Sequence, residues 1–412
     1  MTRVFGRIGL LSFGGPAAQI ALMHRELVEA KAWLTERDFL RALSLCMLLP
    51  GPEAMQLATY AGWRLRGTAG GLLAGLLFVG PGAVVITVLA LLYASYGQLP
   101  LVQAAFLGVK AAVIVVVFQA LRTLSAKALT GPQDRAIAGL SFLALFVAGL
   151  PFPLVIAVAG LWGLLTADAQ TTLPASTPAV LAPAVPSRPL RTLAVWGTLW
   201  SAPLLLLWAV DARFLLELGL FFSKLAVVTF GGAYAVLGYM TQTVVSDLGW
   251  VSTDQMIDAL GLAETTPGPL ILVTQFIALL AGFAQGGIIG AIAAGLLALW
   301  VTFIPCFLWI FLAGPWLEAI NRQPRLTCAL RAITCAAVGV IASLALWFAL
   351  HVLFQTVSSP QILALPSPDW SSFDPAACAL TVLAAVLMGG LRMGFVPAMG
   401  FLAAAGLGLG MI

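Results

Sequence analysis

Ser12-Phe13-Gly14-Gly15 and Pro50-Gly51-Pro52 return as Thr229-Phe230-Gly231-Gly232 and Pro267-Gly268-Pro269, each shifted by 217 positions, with Trp33 returning between them as Trp250. The shift holds from Phe5 to Pro52 and from Phe222 to Pro269 without a gap. An offset kept over so long a stretch marks an internal duplication, and the chain reads as two related halves. Each half sets two Gly/Pro interruptions inside apolar sequence. Such paired interruptions are the sequence pattern of a central membrane-transport site.

Composition fixes the solvent. Of 412 residues 61% are hydrophobic and 9% charged, against roughly 25% charged in a soluble domain. There is too little polar surface for a water-facing globule. Apolar runs near the ~20 residues that cross a bilayer as a helix recur along the chain, and no ten-residue alternation of a barrel is seen. The expected fold is an all-α polytopic membrane protein with the lipid bilayer as its surroundings. The net charge of +4 is thinly spread and gives no case for nucleic acid. Cys46, Cys306, Cys328, Cys335 and Cys378 form no CxxC pair, and neither His24 nor His351 has metal-ligand spacing, so no metal or other cofactor is expected. Both histidines fall near span ends and read as interfacial. Arg3 and Arg7 precede an apolar run, but Gly14-Gly15-Pro16 breaks it and no small-residue cleavage site follows, so it reads as a retained first membrane segment.

Candidate spans cover residues 4–23, 40–61, 68–95, 104–121, 136–149 and 152–166 in the first half, 192–209 between the halves, and 214–242, 257–282, 286–313, 329–350, 375–391 and 393–411 in the second. The domains expected are a first repeat over 1–166, a proline-rich linker with one connecting span over 167–213, and a second repeat over 214–412. Six spans and one extra crossing would turn the second repeat upside down. Setting aside Arg7, Lys110, Lys224 and Arg331 inside spans, eleven of the other sixteen Lys and Arg then share the side of the N-terminus, which the positive-inside rule makes cytoplasmic. Equivalent loops also exchange charge: 122–135 is basic and 351–374 is not, while 96–103 lacks basic residues and 314–328 has Arg322 and Arg325. The pair 24–41 and 241–256 disagrees. Either the first two spans of each half are re-entrant, or Glu26, Glu29, Glu36 and Asp38 neutralise the first loop; the count stays at about 11–13 spans, and a homo-oligomer stays open.

A break inside a bilayer exposes backbone groups that hydrocarbon cannot satisfy, so four of them imply a polar interior. Pro52 can begin a half-helix whose free N–H groups point back into the break, and Gly14-Gly15 before Pro16 repeats that arrangement. Half-helix N-termini suit an oxyanion, and Ser12 and Thr229 add hydroxyls. The alternative, that these residues only permit kinks and close packing, is weakened by four breaks in register. Lys110 with Arg331, and Arg7 with Lys224, are embedded cations at equivalent positions. They face a cavity, pair with an acid or snorkel to an interface. Glu53 and Glu264 sit against the breaks and either balance these charges or exchange protons. No nucleophile-and-base set argues for an enzyme.

These residues carry a resemblance. Ser12-Phe13-Gly14-Gly15-Pro16, Leu49-Pro50-Gly51-Pro52-Glu53-Ala54 with Gln56-Leu57-Ala58-Thr59-Tyr60, Thr229-Phe230-Gly231-Gly232-Ala233-Tyr234 and Gly261-Leu262-Ala263-Glu264-Thr265-Thr266-Pro267-Gly268-Pro269-Leu270 resemble the motifs of the chromate ion transporter (CHR) family in its long two-domain form. The resemblance covers nearly the whole chain. It implies oppositely oriented halves and export of chromate from the cytoplasm across a bacterial inner membrane, as a resistance mechanism. Exchange or import of sulfate or another tetrahedral oxyanion is the alternative. The substrate-binding set expected is Ser12, Gly14, Gly15, Pro50, Gly51, Pro52, Lys110, Lys224, Thr229, Gly231, Gly232, Thr265, Thr266, Pro267, Gly268 and Pro269, with Glu53, Glu264, Arg7 and Arg331 for coupling or charge balance.

Overall fold

The computed structural model describes residues 1–166, 188–230, 232–316, 323–358 and 366–410. Gly231, Arg322 and most of the proline-rich linker lie outside the described residues. The first half runs α1 (Thr2–Leu11), α2 (Gly15–His24), a π-helical turn Arg25–Ala30, α3 (Glu36–Leu48), α4 (Glu53–Tyr96), α5 (Pro100–Ala128), α6 (Pro132–Phe146) and α7 (Phe152–Leu165). After α8 (Pro189–Ala209) the second half follows with α9 (Arg213–Val228), α10 (Ala233–Thr241), a π-helical turn Gln242–Asp247, α11 (Thr253–Thr265), a 3₁₀ turn Leu270–Leu272, α12 (Val273–Ala313), α13 (Pro324–Leu353), α14 (Pro375–Ala385) and α15 (Phe395–Gly410). Among the described residues the only strands pair Val357–Ser358 with Ser367–Pro368.

This is an all-α polytopic membrane protein. Glu53–Tyr96, Pro100–Ala128, Pro189–Ala209, Leu270–Trp316 and Pro324–Leu353 are each long and apolar enough to cross a membrane, and Phe152–Leu165, Pro375–Gly390 and Phe395–Leu409 are shorter apolar helices. The sequence starts its helices with residues suited to the task. Proline opens α5, α6, α8, α13 and α14, where its missing N–H costs no ladder bond. Thr35 caps α3 through the Asp38 N–H, and Asp374 caps α14 through those of Ala376 and Ala377.

The duplication extends to backbone detail. The π-helical turns sit at the same offset, and so do the bonds that follow them, Trp33 N–H to Leu27 O and Trp250 N–H to Val244 O, both 2.8 Å. Beyond the second break the register slips by three residues, the length of the 3₁₀ turn Leu270–Leu272. Thereafter α4 and α12 correspond. Each is two helices folded on one another: φ is −145° at Arg66 and 64° at Gly67, and −151° at Gly286 and 58° at Gly287. A Cβ on Gly62 would stand 2.3 Å from the Gly70 carbonyl oxygen, and one on Gly282 would stand 2.4 Å from that of Gly290. Glycine at these points lets the two arms of each hairpin touch backbone to backbone.

The chain packs into two compact units, each drawing on both halves. One comprises 1–87, 160–233 and 266–331, the other 88–159, 234–265 and 332–412. In the first unit α12 packs on α8 and α9. Trp196 lies against Phe307 and Phe311, whose rings fill the space left by Gly75 and Gly71 of α4. In the second unit α5 packs against α11, α14 and α15 around a core of Val109, Ala111, Ala112, Leu380, Ala384, Met399 and Leu402. Gly108 and Gly406 allow α5 and α15 to meet through their backbones.

His24, at the end of α2, has Nε2 2.5 Å from Glu36 Oε2 and Nδ1 3.2 Å from Glu29 Oε1. The hydrogen bond to Glu36, and then the charges of both carboxylates, raise its pKa above 6.5 against an opposing effect of burial. The raised value means that this pairing stabilises the fold fully below pH 6.5 and ceases to do so as pH rises through the folded-state pKa. Imidazole NMR should show His24 titrating above 6.5, and Glu36→Gln should bring the midpoint down; an unmoved midpoint would overturn the pairing. For the hairpins, Gly62→Val and Gly282→Val should each destabilise the purified protein by more than about 2 kcal/mol. Gly286→Ala, with nothing within 4 Å of the added carbon and an arginine at the equivalent Arg66, should be tolerated. Equal thermal midpoints across the three variants would refute the close approach.

Candidate functional site

The breaks in the helices are closed on one another. In the first unit the chain leaves α1 through Ser12 and enters α2 past Gly14 and Gly15, with φ of 83° and 79°. Gly232 before α10 has φ of 99°, and the second break of each half turns at Gly51 (φ 121°) and Gly268 (φ 94°). These are left-handed conformations that glycine adopts without strain. The Gly51 N–H donates to the Thr229 carbonyl at 2.8 Å, and the Gly268 N–H donates to the Ser12 carbonyl at 2.9 Å. Under the 217 offset Ser12 corresponds to Thr229 and Gly51 to Gly268, so one bond is made twice, in reciprocal sense. A self-complementary contact is what a two-fold relation between copies produces.

Around this pair of bonds the polar groups are tightly engaged. The amide of Gln19 donates to the Gly268 carbonyl at 2.7 Å and lies 3.4 Å from that of Ser12, and the amide of Gln56 donates to the Pro50 carbonyl at 2.7 Å. The oxygens of both amides are buried without a hydrogen-bond partner. The hydroxyls of Ser12, Thr229 and Thr265 donate to the carbonyls of Ile8 (2.6 Å), Leu225 (2.6 Å) and Leu262 (2.7 Å). They therefore present lone pairs, not hydrogens, in this conformation. Pro50, Pro52, Pro267 and Pro269 have no N–H to offer, so the donors outside the ladders are the first-turn amides that follow, from Glu53 in α4 and Leu270 in the 3₁₀ turn. Gly51, Pro52 and Thr266 to Pro269 are buried, and Gly14 and Gly15 are not. A Cβ on Gly82 would lie 2.1 Å from the Pro267 carbonyl oxygen, so α4 passes hard against this break.

The charged residues separate between the units. In the first, Arg7 reaches Glu26 at 3.6 Å with its own side chain largely exposed, and Lys224 and Arg331 are exposed. In the second, Lys110 Nζ lies 2.5 Å from Asp254 Oδ1, and the Tyr234 hydroxyl donates to Glu264 Oε1. Gly231 lies outside the described residues. Sequence reasoning quoted Gln56 within a motif without giving it a role, and passed over Gln19, Gly82, Tyr93, Asp254 and Asp258. A signal existed for the last two: the 217 offset sets them against Arg37 and Arg41, acids where the first half has bases.

The family model for the chromate transporter matches residues 1–164 and 216–409. The chain is 32% identical to a chromate transport protein of Cupriavidus metallidurans over 337 residues, 82% of this chain and 79% of the relative. It is 32% identical to a chromate transport protein of Pseudomonas aeruginosa over 342 residues, 82% of this chain and 77% of the relative. An uncharacterized transporter of Methanocaldococcus jannaschii is 26% identical over 84% of this chain and 83% of its own length. No solved structure matches.

At Gly51 an added Cβ would meet Cys306 Sγ and Gln56 Nε2, both at 2.9 Å, on a backbone held at φ 121°. Gly51→Ala should therefore cost about 1–3 kcal/mol and lower the thermal midpoint, while Gly80→Ala, with open space around it, should not. Equal midpoints would show that the break is not held closed as described.

Proposed function

The chain belongs to the chromate transporter family, and from that premise we propose that it is a secondary transporter exporting chromate from the cytoplasm across the bacterial inner membrane, and so conferring resistance. The observation that carries this reading is the buried pair of breaks, held by Gly51 to Thr229 and Gly268 to Ser12. Chromate is a tetrahedral dianion whose oxygens all accept hydrogen bonds. The breaks offer such an ion amide donors at half-helix N-termini, with their partial positive charge.

Binding at the breaks competes with what is already there. A chromate oxygen that takes the Gly51 or Gly268 hydrogen releases the Thr229 or Ser12 carbonyl, so occupancy loosens the contact that joins the two copies. Gly14, Gly15 and Gly232 line the first breaks, and Gly231 is assigned to the same set from its place in the sequence; Pro50, Pro52, Pro267 and Pro269 keep the second breaks unwound. Ser12, Thr229 and Thr265 assist once their hydroxyls turn from the helix carbonyls, and Thr266 assists beside them. Lys110, already paired with Asp254, and Arg7, paired with Glu26, join Lys224, Arg331, Glu53 and Glu264 in the charge balance of the cycle. The exchange of basic residues between equivalent loops supports inverted halves with a cytoplasmic N-terminus, and rocking of one repeat against the other then opens the site to each side in turn. Outward movement of a dianion runs down an inside-negative potential, at ~2.3 kcal/mol per charge per 100 mV.

Inside-out vesicles energised with a positive interior should accumulate chromate, sulfate should compete weakly, and Gly51→Leu at equal expression should lower accumulation by about tenfold or more. Sulfate uptake without chromate accumulation would overturn the export reading.

A further inference from the structure

Within the second unit, α11 carries two acids four residues apart, on one helical face. Asp254, whose side chain is 69% exposed, holds Lys110 of α5 at 2.5 Å. Asp258 is 4% exposed, and one of its oxygens, Oδ2, accepts a hydrogen bond from the Tyr93 hydroxyl of α4 at 2.7 Å. Its other oxygen, Oδ1, is buried with no hydrogen-bond partner. The charged and titratable groups that act on Asp258 are Lys110, Tyr93 and Asp254, and Asp254 acts in turn on His351 of α13. Glu264, further along α11, is engaged by Tyr234.

An ionised carboxylate with one oxygen sealed away from any donor is costly to keep. Lys110 offsets only part of that cost, because its ammonium is bonded to Asp254. A proton on Oδ1 removes it. The arrangement is also built once per chain: the first-half equivalents of Asp254 and Asp258 are Arg37 and Arg41, and the second-half equivalent of Lys110 is Arg331. Three bases in those places cannot reproduce the cluster.

We propose that Asp258 is a proton-binding site of the transport cycle, taking up a proton as the oxyanion binds and giving it up when the anion leaves. This rests on the anion-transport reading above. The step is acid–base only: an O–H bond forms on Oδ1, the proton comes from solvent, and no electrons move. Its sign follows from charge. Lys110 with Asp254 and an ionised Asp258 carries a net negative charge, and protonation brings the cluster to neutrality, leaving the protein one negative charge fewer as it takes up the dianion. By linkage the proton strengthens anion binding as much as the anion strengthens proton binding.

The test uses the full-length purified protein in alkaline, weakly buffered detergent solution. Chromate binding is measured by equilibrium dialysis, and proton uptake in the same sample by a pH-indicator dye. Wild-type protein should take up a proton on binding chromate, and its affinity should fall by up to about tenfold per pH unit in the alkaline range. Asp258→Asn, a fixed neutral side chain, should still bind chromate, with affinity that no longer changes with pH and with no proton uptake. Asp258→Glu should restore both behaviours, which separates loss of a titrating group from loss of the fold. Chromate binding by wild type without proton uptake, or unchanged uptake in Asp258→Asn, would overturn this proposal and leave the transport reading standing. Failure of wild type to bind chromate would instead remove the reading on which it rests.

Discussion

Two backbone amides, Gly51 and Gly268, organise the first unit. A chain that unwinds away from water must find partners for its peptide groups in the protein itself. Here each copy finds them in the other: the second break of one half gives its N–H to the carbonyl at the first break of the other. The arrangement accounts for why the duplicated stretch has kept its spacing without insertion. Changing the distance between Ser12 and Gly51, or between Thr229 and Gly268, would move one end of a reciprocal bond and strand the other. The three-residue slip falls just after this constraint ends, at Leu270–Leu272, where the hairpins resume the correspondence between copies.

Reciprocal bonds also set the character of the breaks. Hydrogen bonds of this kind contribute about 1 kcal/mol each in net terms, far less than leaving the groups unpaired in a dry interior. The breaks are therefore stable as long as an acceptor takes the hydrogens, and here the Thr229 and Ser12 carbonyls do so. The glutamines refine this balance unequally. Gln19 supports the Gly268 carbonyl and Gln56 supports that of Pro50, so both come from the first half and the second half supplies no equivalent; Val236 stands where Gln19 would repeat. The two copies thus share a backbone plan and differ in the side chains that tune it.

Much of this was legible in sequence because it is written in local rules. Proline and glycine positions gave the breaks, apolar runs gave the helices, and the single offset gave the duplication. The separation of 40–61 from 68–95 anticipated the hairpin at Arg66–Gly67, since an apolar length beyond one crossing must fold back. What stayed hidden depends on residues far apart in the chain. Lys110 reads as a lone embedded cation until α11 is placed against α5 and supplies Asp254; Asp258 reads as an ordinary helix acid until Tyr93 closes over one of its oxygens. Arg7 meets Glu26 because α2 folds back after the break at Gly14, which the sequence marks, although it does not mark the partner. The donor direction of Ser12 and Thr229 was hidden for another reason: a hydroxyl at the end of a helix can bond its own preceding turn, and only geometry says that it does.

The charge contrast between α3 and α11 shows what duplication permits. As separate identical chains, two copies would carry the same residue at position 41 and at its equivalent, and any acid placed there would appear twice. Fused in one chain, they are free to diverge, and they hold Arg41 on one side and Asp258 on the other. The neighbouring pair, Arg37 and Asp254, diverges in the same sense, four residues away and on the same helical face. Two changes of sign on one face are hard to attribute to membrane sidedness alone, because Asp258 is buried among protein groups, where no rule of loop charge applies. Both copies make the same backbone contact, one bond in each sense, whereas on this face the side chains of the two copies differ in the sign of their charge.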